Sequence, residues 1–283
     1  MLRGCLPQWP DQPDDLVMSG KLGGFTAPLD VTGKSSLYGP PPWHFRGRSL
    51  TVVCDCDQAA AAALVPAPLE LIPGAPVRFT IHDLVCDIGF GSDFAARHPE
   101  RTTVREAVVA LAVHFEGVNG FYDPFLYCDS AEEISVGREM FGWPQLDASI
   151  WMTPPDAVTG VKPGHRLTGK VLRKSGPVLD ISMLVDDQEE FPETVPAFST
   201  FYTMRVLPDP TDLTRKVEIF QSHMSDIGIH HANFGQAELV VTAPELSALN
   251  PAATGPARCN AIMWTKNRSR RIHSQKLAPD ERL

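Results

Sequence analysis

No apolar run in this 283-residue chain is long enough to cross a bilayer as a helix. Residues 1–20 mix prolines with acidic side chains and contain no apolar segment of the kind that opens a secretory signal. A cytoplasmic location without membrane association is therefore expected. Positive charge is also scarce: 25 Lys and Arg against 34 Asp and Glu leave a formal net charge of −9. Phosphate backbones select for basic surfaces, so nucleic acid is excluded as a general partner. Glycine-rich phosphate loops, a nucleophile-elbow serine and histidine metal motifs are absent as well.

The six cysteines, Cys5, Cys54, Cys56, Cys86, Cys128 and Cys259, have no zinc-type spacing. Cys54 and Cys56 point to one face of a strand, and no matching Cys or His pair follows. Buried structural thiols are the better reading, and no metal or other cofactor is expected.

What is present is a succession of short β patterns. Residues 1–37 form an irregular lead-in rich in Gly, Pro, Asp and Ser, closed by Pro40-Pro41-Pro42. Strands are predicted at 49–56, 77–84, 104–115, 121–128, 167–172, 178–185, 201–206, 217–223, 237–241 and 259–265. In the second of these, Val77, Phe79 and Ile81 alternate with Arg78, Thr80 and His82, the pattern of a half-buried strand. Helices are few. One covers the alanine-rich 58–64, and one starts at Ser130, where Ser130 and Glu133 have capping-box spacing. Gly142 and Pro144 end that helix, which leaves Gln145 on a rigid exit suited to projecting one side chain into a cavity. The composite is a mainly β (α+β) fold with a large antiparallel sheet. A single domain spans 38–270, and 271–283 form a polar, solvated tail.

Several blocks occur in an order that resembles the acetoacetate decarboxylase family. The strongest is Glu133-Ile134-Ser135-Val136-Gly137-Arg138-Glu139-Met140-Phe141-Gly142-Trp143-Pro144-Gln145. Tyr38-Gly39-Pro40-Pro41-Pro42-Trp43-His44-Phe45, Val65-Pro66-Ala67-Pro68-Leu69-Glu70 and Gly117-Val118-Asn119-Gly120-Phe121-Tyr122 precede it. Phe201-Tyr202-Thr203-Met204-Arg205-Val206-Leu207-Pro208 and Asp226-Ile227-Gly228-Ile229-His230 follow. The resemblance implies an extended antiparallel sheet around a cone-shaped β-barrel, an interior reaction site and a homo-oligomer.

In that family the residue after the proline is the lysine that forms a Schiff base, activated by an adjacent cation. Here the two positions hold Gln145 and Leu146, and an amide nitrogen cannot form an imine. Lys162, Lys170 and Lys174 lie elsewhere, so no primary amine is expected in the barrel. The family's glutamate matches Glu106 and its arginine matches Arg48, with Arg46 as the fallback. Desolvation on an apolar strand would raise the Glu106 pKa toward neutrality, although the plain alternative is an exposed strand-end glutamate. Gln145 would donate to a ketone oxygen and Arg48 would clamp a carboxylate. Tyr122, Trp143, Leu146 and His230 are the expected substrate-binding residues. The expected activity is a lyase without Schiff-base chemistry, of decarboxylase or dehydratase type, acting on a keto acid or polyketide-like small molecule in secondary metabolism. A cyclase or isomerase, or a non-catalytic small-molecule-binding relative, is the alternative.

Overall fold

The computed structural model describes residues 21–186 and 197–281. Cys5 and the lead-in before residue 21 lie outside the described residues. Residues 21–37 belong to a small unit of their own, in which the Asp30 carboxylate accepts from the backbone N–H groups of Thr32, Gly33 and Ser35.

From Tyr38 onward the chain forms a second unit built on twelve strands. They are β1 (Trp43–Cys54), β2 (Glu70–Leu71), β3 (Val77–Cys86), β4 (Thr103–Phe115), β5 (Val118–Cys128) and β6 (Gln145–Asp147). The remainder are β7 (Ser149–Met152), β8 (Arg166–Arg173), β9 (Gly176–Val185), β10 (Thr200–Pro208), β11 (Arg215–Val241) and β12 (Thr254–Leu277). The order β10-β5-β4-β3-β1-β12-β11 returns on itself, because β10 pairs with both β5 and β11. Seven strands thus close a ring. The expected antiparallel sheet around a barrel is present, with parallel pairing confined to β10–β5 and β5–β6.

Pairing in β11 is divided along its length. Residues 215–223 pair with β10, whereas Gly235–Val241 pair with β9, which carries β8 and β7 with it. This branch covers the outer face of β1, β3 and β4. Val77, Phe79 and Ile81, with Leu50 and Val52 of β1 and Ala107, Val109 and Leu111 of β4, form the layer beneath it. Contact is close: a Cβ added at Gly169 of β8 would lie 2.5 Å from Ile81 Cδ1.

Burial on both sides corrects the half-buried reading of β3. Arg78, Thr80 and His82 do not face solvent; they face the inside of the ring. Two segments expected as separate strands, 217–223 and 237–241, are parts of one 27-residue β11 that accommodates four register shifts. The polar tail expected from 271 is also revised, since β12 continues to Leu277 against β11. Its charges are paired there. Arg271 Nη1 donates to Glu218 Oε1 at 2.7 Å, and Lys276 Nζ to Asp212 Oδ2 at 3.0 Å.

The hairpin joining β4 to β5 turns at Glu116 and Gly117, both with positive φ, the geometry of a tight two-residue loop. The helix begins as expected at the Ser130 cap, whose Oγ accepts from Glu133 N at 3.3 Å. It runs over Ala131–Val136 and then widens into a π-helix at Gly137–Phe141. Gly142 ends it in the left-handed region (φ 75°), pressed so closely on β10 that a Cβ would meet Arg205 N at 2.4 Å. This turn delivers Gln145 to the mouth of β6, beside Leu126 of β5.

Ile81 is fully buried between the two layers. Ile81→Ala is expected to lower the unfolding free energy by ~2–5 kcal/mol in denaturant titration, because the two layers cannot collapse into the space left.

Candidate active site

The inward residues of the ring enclose a cavity of about 570 Å³. Strand alternation decides what reaches it. On β1 the inward set is Trp43, Phe45, Ser49 and Thr51; on β3 it is Arg78, Thr80 and His82; on β4, Glu106, Val108 and Ala110. Ser49, His82 and Glu106 lie on one rung across three strands, continued by Asn260 of β12.

Gln145 and Glu106 meet in this space. Gln145 is 1% exposed, and its Nε2 donates to Glu106 Oε1 at 2.9 Å, while its own Oε1 has no partner. Glu133 closes the group from the helix, with one carboxylate oxygen taking the Tyr38 hydroxyl. A Cβ at Gly137 would fall 2.0 Å from Gln145 Oε1, so a larger residue there would displace the amide. Burial raises the Glu106 pKa to about 8; the nearby Glu133 adds to the shift and the Gln145 hydrogen bond opposes it. Burial also raises Glu133, against hydrogen bonds from Tyr38 and Gln145. The two carboxyls therefore compete for ionisation across one amide, an arrangement that keeps a proton available near neutral pH. His82, beside Glu106, is held neutral: burial and then Arg78 push it down to about 3, and its Nδ1 lies 2.7 Å from Ser49 Oγ.

Of the expected site residues, Glu106, Gln145 and Trp143 line the cavity. Arg48 does not. It lies on the outward face of β1, where Nη2 donates to Asp83 Oδ2 at 2.8 Å and Nη1 to Thr153 O at 2.6 Å. Arg46 shares that face and borders a smaller recess with Val85 and Asp87. Alternation leaves Gly47 at the inward slot between Phe45 and Ser49. Tyr122 is buried in the outer layer, one position out of phase with the inward Asp123. Leu146 packs against the same layer, and His230 is exposed on β11 while its neighbour Ile229 faces in.

The cavity also contains residues that sequence reasoning missed: Glu133, His82, Arg78, Asp123, Arg258 and Lys266. Glu133 was absorbed by the capping-box pattern, yet its side chain turns inward, and Ser130 N instead contacts Cys128 Sγ at 3.4 Å. The charged alternation of β3 was the available signal for Arg78 and His82. Lys266 overturns the expectation of a barrel without a primary amine. It is 3% exposed, its Nζ donates to Ser222 Oγ at 2.7 Å and Ser269 Oγ at 2.9 Å, and it sits 4.3 Å over the Phe141 ring. Burial lowers its pKa to about 7.

A family model described as acetoacetate decarboxylase matches residues 26–267. Acetoacetate decarboxylase of Clostridium acetobutylicum is 25% identical over 211 residues, covering 74% of this chain and 79% of its own. The Acidiphilium cryptum enzyme of that name is 26% identical over 239 residues, with 83% and 86% covered. Among solved structures, the enduracididine biosynthesis enzyme MppR, complexed with the condensation product of pyruvate and imidazole 4-carboxaldehyde, superposes with a TM-score of 0.80. It shares 23% identity and covers 90% of this chain and 98% of that one. An acetoacetate decarboxylase-like enzyme from Sphingomonas wittichii RW1 also gives 0.80, at 20% identity, with 89% and 100% covered.

The raised Glu106 pKa sets a pH dependence. The unfolded chain ionises this group near 4.5, but the folded chain retains its proton to about 8. The folded state thus binds more protons over that interval, and stability falls as pH rises through it. Thermal unfolding of wild type and Glu106→Gln should diverge accordingly: the variant gains relative stability from pH 4.5 to about 8, and the difference then levels. A pH-independent difference would show that Glu106 titrates normally.

Proposed function

The chain belongs to the acetoacetate decarboxylase family, and from that premise we propose an enzyme that acts on a small keto acid by carbonyl polarisation and proton transfer, with no covalent role for position 145. The observation that carries this reading is the 2.9 Å contact between Gln145 Nε2 and Glu106 Oε1 on the wall of the cavity. A carboxyl that keeps its proton to about pH 8 is a general acid at neutral pH. It donates to a substrate ketone oxygen as charge develops there, and the buried setting strengthens that bond.

For a β-keto acid the steps balance with water as the only co-reactant. The bond to the carboxylate carbon breaks, carbon dioxide leaves, and the electron pair passes into the enolate. Glu106 protonates the enolate oxygen; ketonisation then takes one proton from water onto carbon and returns the enol proton to Glu106, leaving hydroxide that the released carbon dioxide takes up as bicarbonate. Glu133 stabilises the ionised Glu106 only when it is itself protonated, so the pair shares its charge rather than doubling it. The same enol chemistry supports loss of water from a β-hydroxy ketone, so decarboxylation and dehydration are the two lyase outcomes proposed. MppR, with its bound pyruvate condensation product, supports a keto-acid substrate class.

Lys266 supports a second reading in which its amine forms an imine with the ketone. The register ranks this lower. Lys266 lies opposite Trp43, six positions along β12 from Asn260 on the Glu106 rung, and its Nζ is drawn farther toward Ser269. Gln145, not Lys266, touches Glu106.

Mass spectrometry of a keto-acid and polyketide panel should show product with wild type and a fall of roughly 10²–10⁴-fold with Glu106→Gln. Equal product from both would remove Glu106 from the chemistry. Borohydride added during turnover should leave the wild-type mass unchanged, whereas a reduced adduct mapping to Lys266 would establish the imine reading instead.

A further inference from the structure

The cavity is longer than the acid–amide–acid centre requires, and its other end is polar too. Arg78 lies four positions before His82 on β3, so it is roughly 13 Å along the strand from the Glu106 rung. On the other side of Ala110, Asp123 projects inward from the bulge of β5, and Arg258 of β12 occupies the rung between the two levels, opposite Thr51. The Arg78 guanidinium is stacked on Phe121, 3.8 Å from its ring centroid. The guanidinium makes no hydrogen bond to a described residue, and its Nε is fully enclosed without a partner. Asp123 is 2% exposed, and its Oδ1 is likewise unpartnered. Arginine and aspartate are thus close enough to interact electrostatically but not to satisfy each other.

We propose that Arg78 is the anion-binding arm of a subsite that receives a second acidic group of the substrate, remote from the ketone at Glu106. The proposal deepens the keto-acid reading: the ligand class is an elongated keto acid with an anionic group at each end. Charge supports it. Burial raises Asp123 to about 7 and Glu106 to about 8, so neither carboxylate is fully ionised at neutral pH. Burial lowers Arg78 only to about 10, which leaves it charged. Arg78 therefore stays charged at a pH where Asp123 and Glu106 are only partly ionised. Volume agrees as well, because a keto acid as small as acetoacetate fills only part of about 570 Å³. A planar guanidinium stacked on an aromatic face is pre-oriented for bidentate carboxylate recognition.

The test is equilibrium binding of 2-oxo diacids of increasing chain length, each compared with the matched 2-oxo acid that ends in a methyl group. Quenching of Trp43, Trp143 and Trp264, which line the cavity, reports it at pH 6, where Asp123 retains its proton, and again at pH 8, where it has lost it. One diacid length should bind at least about ten-fold tighter than its methyl counterpart, and Arg78→Met should erase that preference while leaving affinity for the methyl acid unchanged. Asp123→Asn, which removes the anion that competes above pH 7, should tighten the diacid at pH 8; it serves also where Arg78→Met does not fold. Equal affinity within every pair, absence of binding by all diacids, or weaker diacid binding by Asp123→Asn would overturn the proposal. No turnover is needed, so the two readings fail separately. A Glu106→Gln variant that loses activity in a protein with no diacid preference would sink the subsite and leave the acid–amide chemistry standing.

Discussion

Burial on both faces of β1, β3 and β4 is the constraint on which the rest of the molecule depends. A strand covered on one side presents its alternate residues to water, where polar groups incur no penalty. Here the β9-β8-β7 branch covers the outer side and the ring closes over the inner side. Every inward polar group must therefore find a protein partner, lose its charge or await a ligand. Ser49 and His82 satisfy each other, as do Thr51 and Thr80. Glu106 takes the Gln145 amide and retains its proton. Arg78 is left with an aromatic face and an electrostatic neighbour.

That constraint gives the glutamine at position 145 a physical meaning. A lysine there would bring a positive charge between Glu106 and Glu133 and favour ionisation of both. The amide brings none, so burial dominates and both carboxyls move upward. Exchanging an amine for an amide thus converts the site from one that stores a cation to one that stores a proton. Lys266 shows the same pressure from the opposite sign. With only two hydroxyls and a ring around its Nζ, its charge is worth little, and its pKa falls to about 7.

Much of this was legible in the chain, with the limits set by period and phase. The 58–64 helix, the strand pattern of β3, β4 and β9, and the Ser130 start of the long turn all follow from local signals. Phase in β1 did not. Arg46 and Arg48 alternate with Phe45 and Ser49, and a shift of one residue exchanges the outer face for the cavity. The same slip separates Tyr122 from Asp123 and His230 from Ile229. Glu133 was hidden for a different reason: its spacing from Ser130 is fully explained by helix capping, so nothing local marks it as an interior acid. The residues from 271 read as a solvated tail because the pairing that orders them is with β11, far away in sequence.

The backbone around Gln145 is fixed on every side. Its N–H donates to Trp143 O at 2.8 Å, its carbonyl accepts from Arg138 Nη1 at 3.0 Å, and its side chain lies against Gly137, where a larger residue would displace it. Gly142 holds the left-handed turn against β10, and the preceding helix widens to a π-turn, a feature that recurs at functional sites. Each device fixes the position of one amide. That amide nonetheless leaves its own oxygen buried without a donor, which costs about 1–3 kcal/mol. An apolar side chain of similar volume would remove that cost but leave Glu106 Oε1 without its donor. What the amide provides and an apolar group cannot is a fixed N–H on Glu106, aimed from a rigid backbone at an interior acid whose proton is exchangeable near neutral pH.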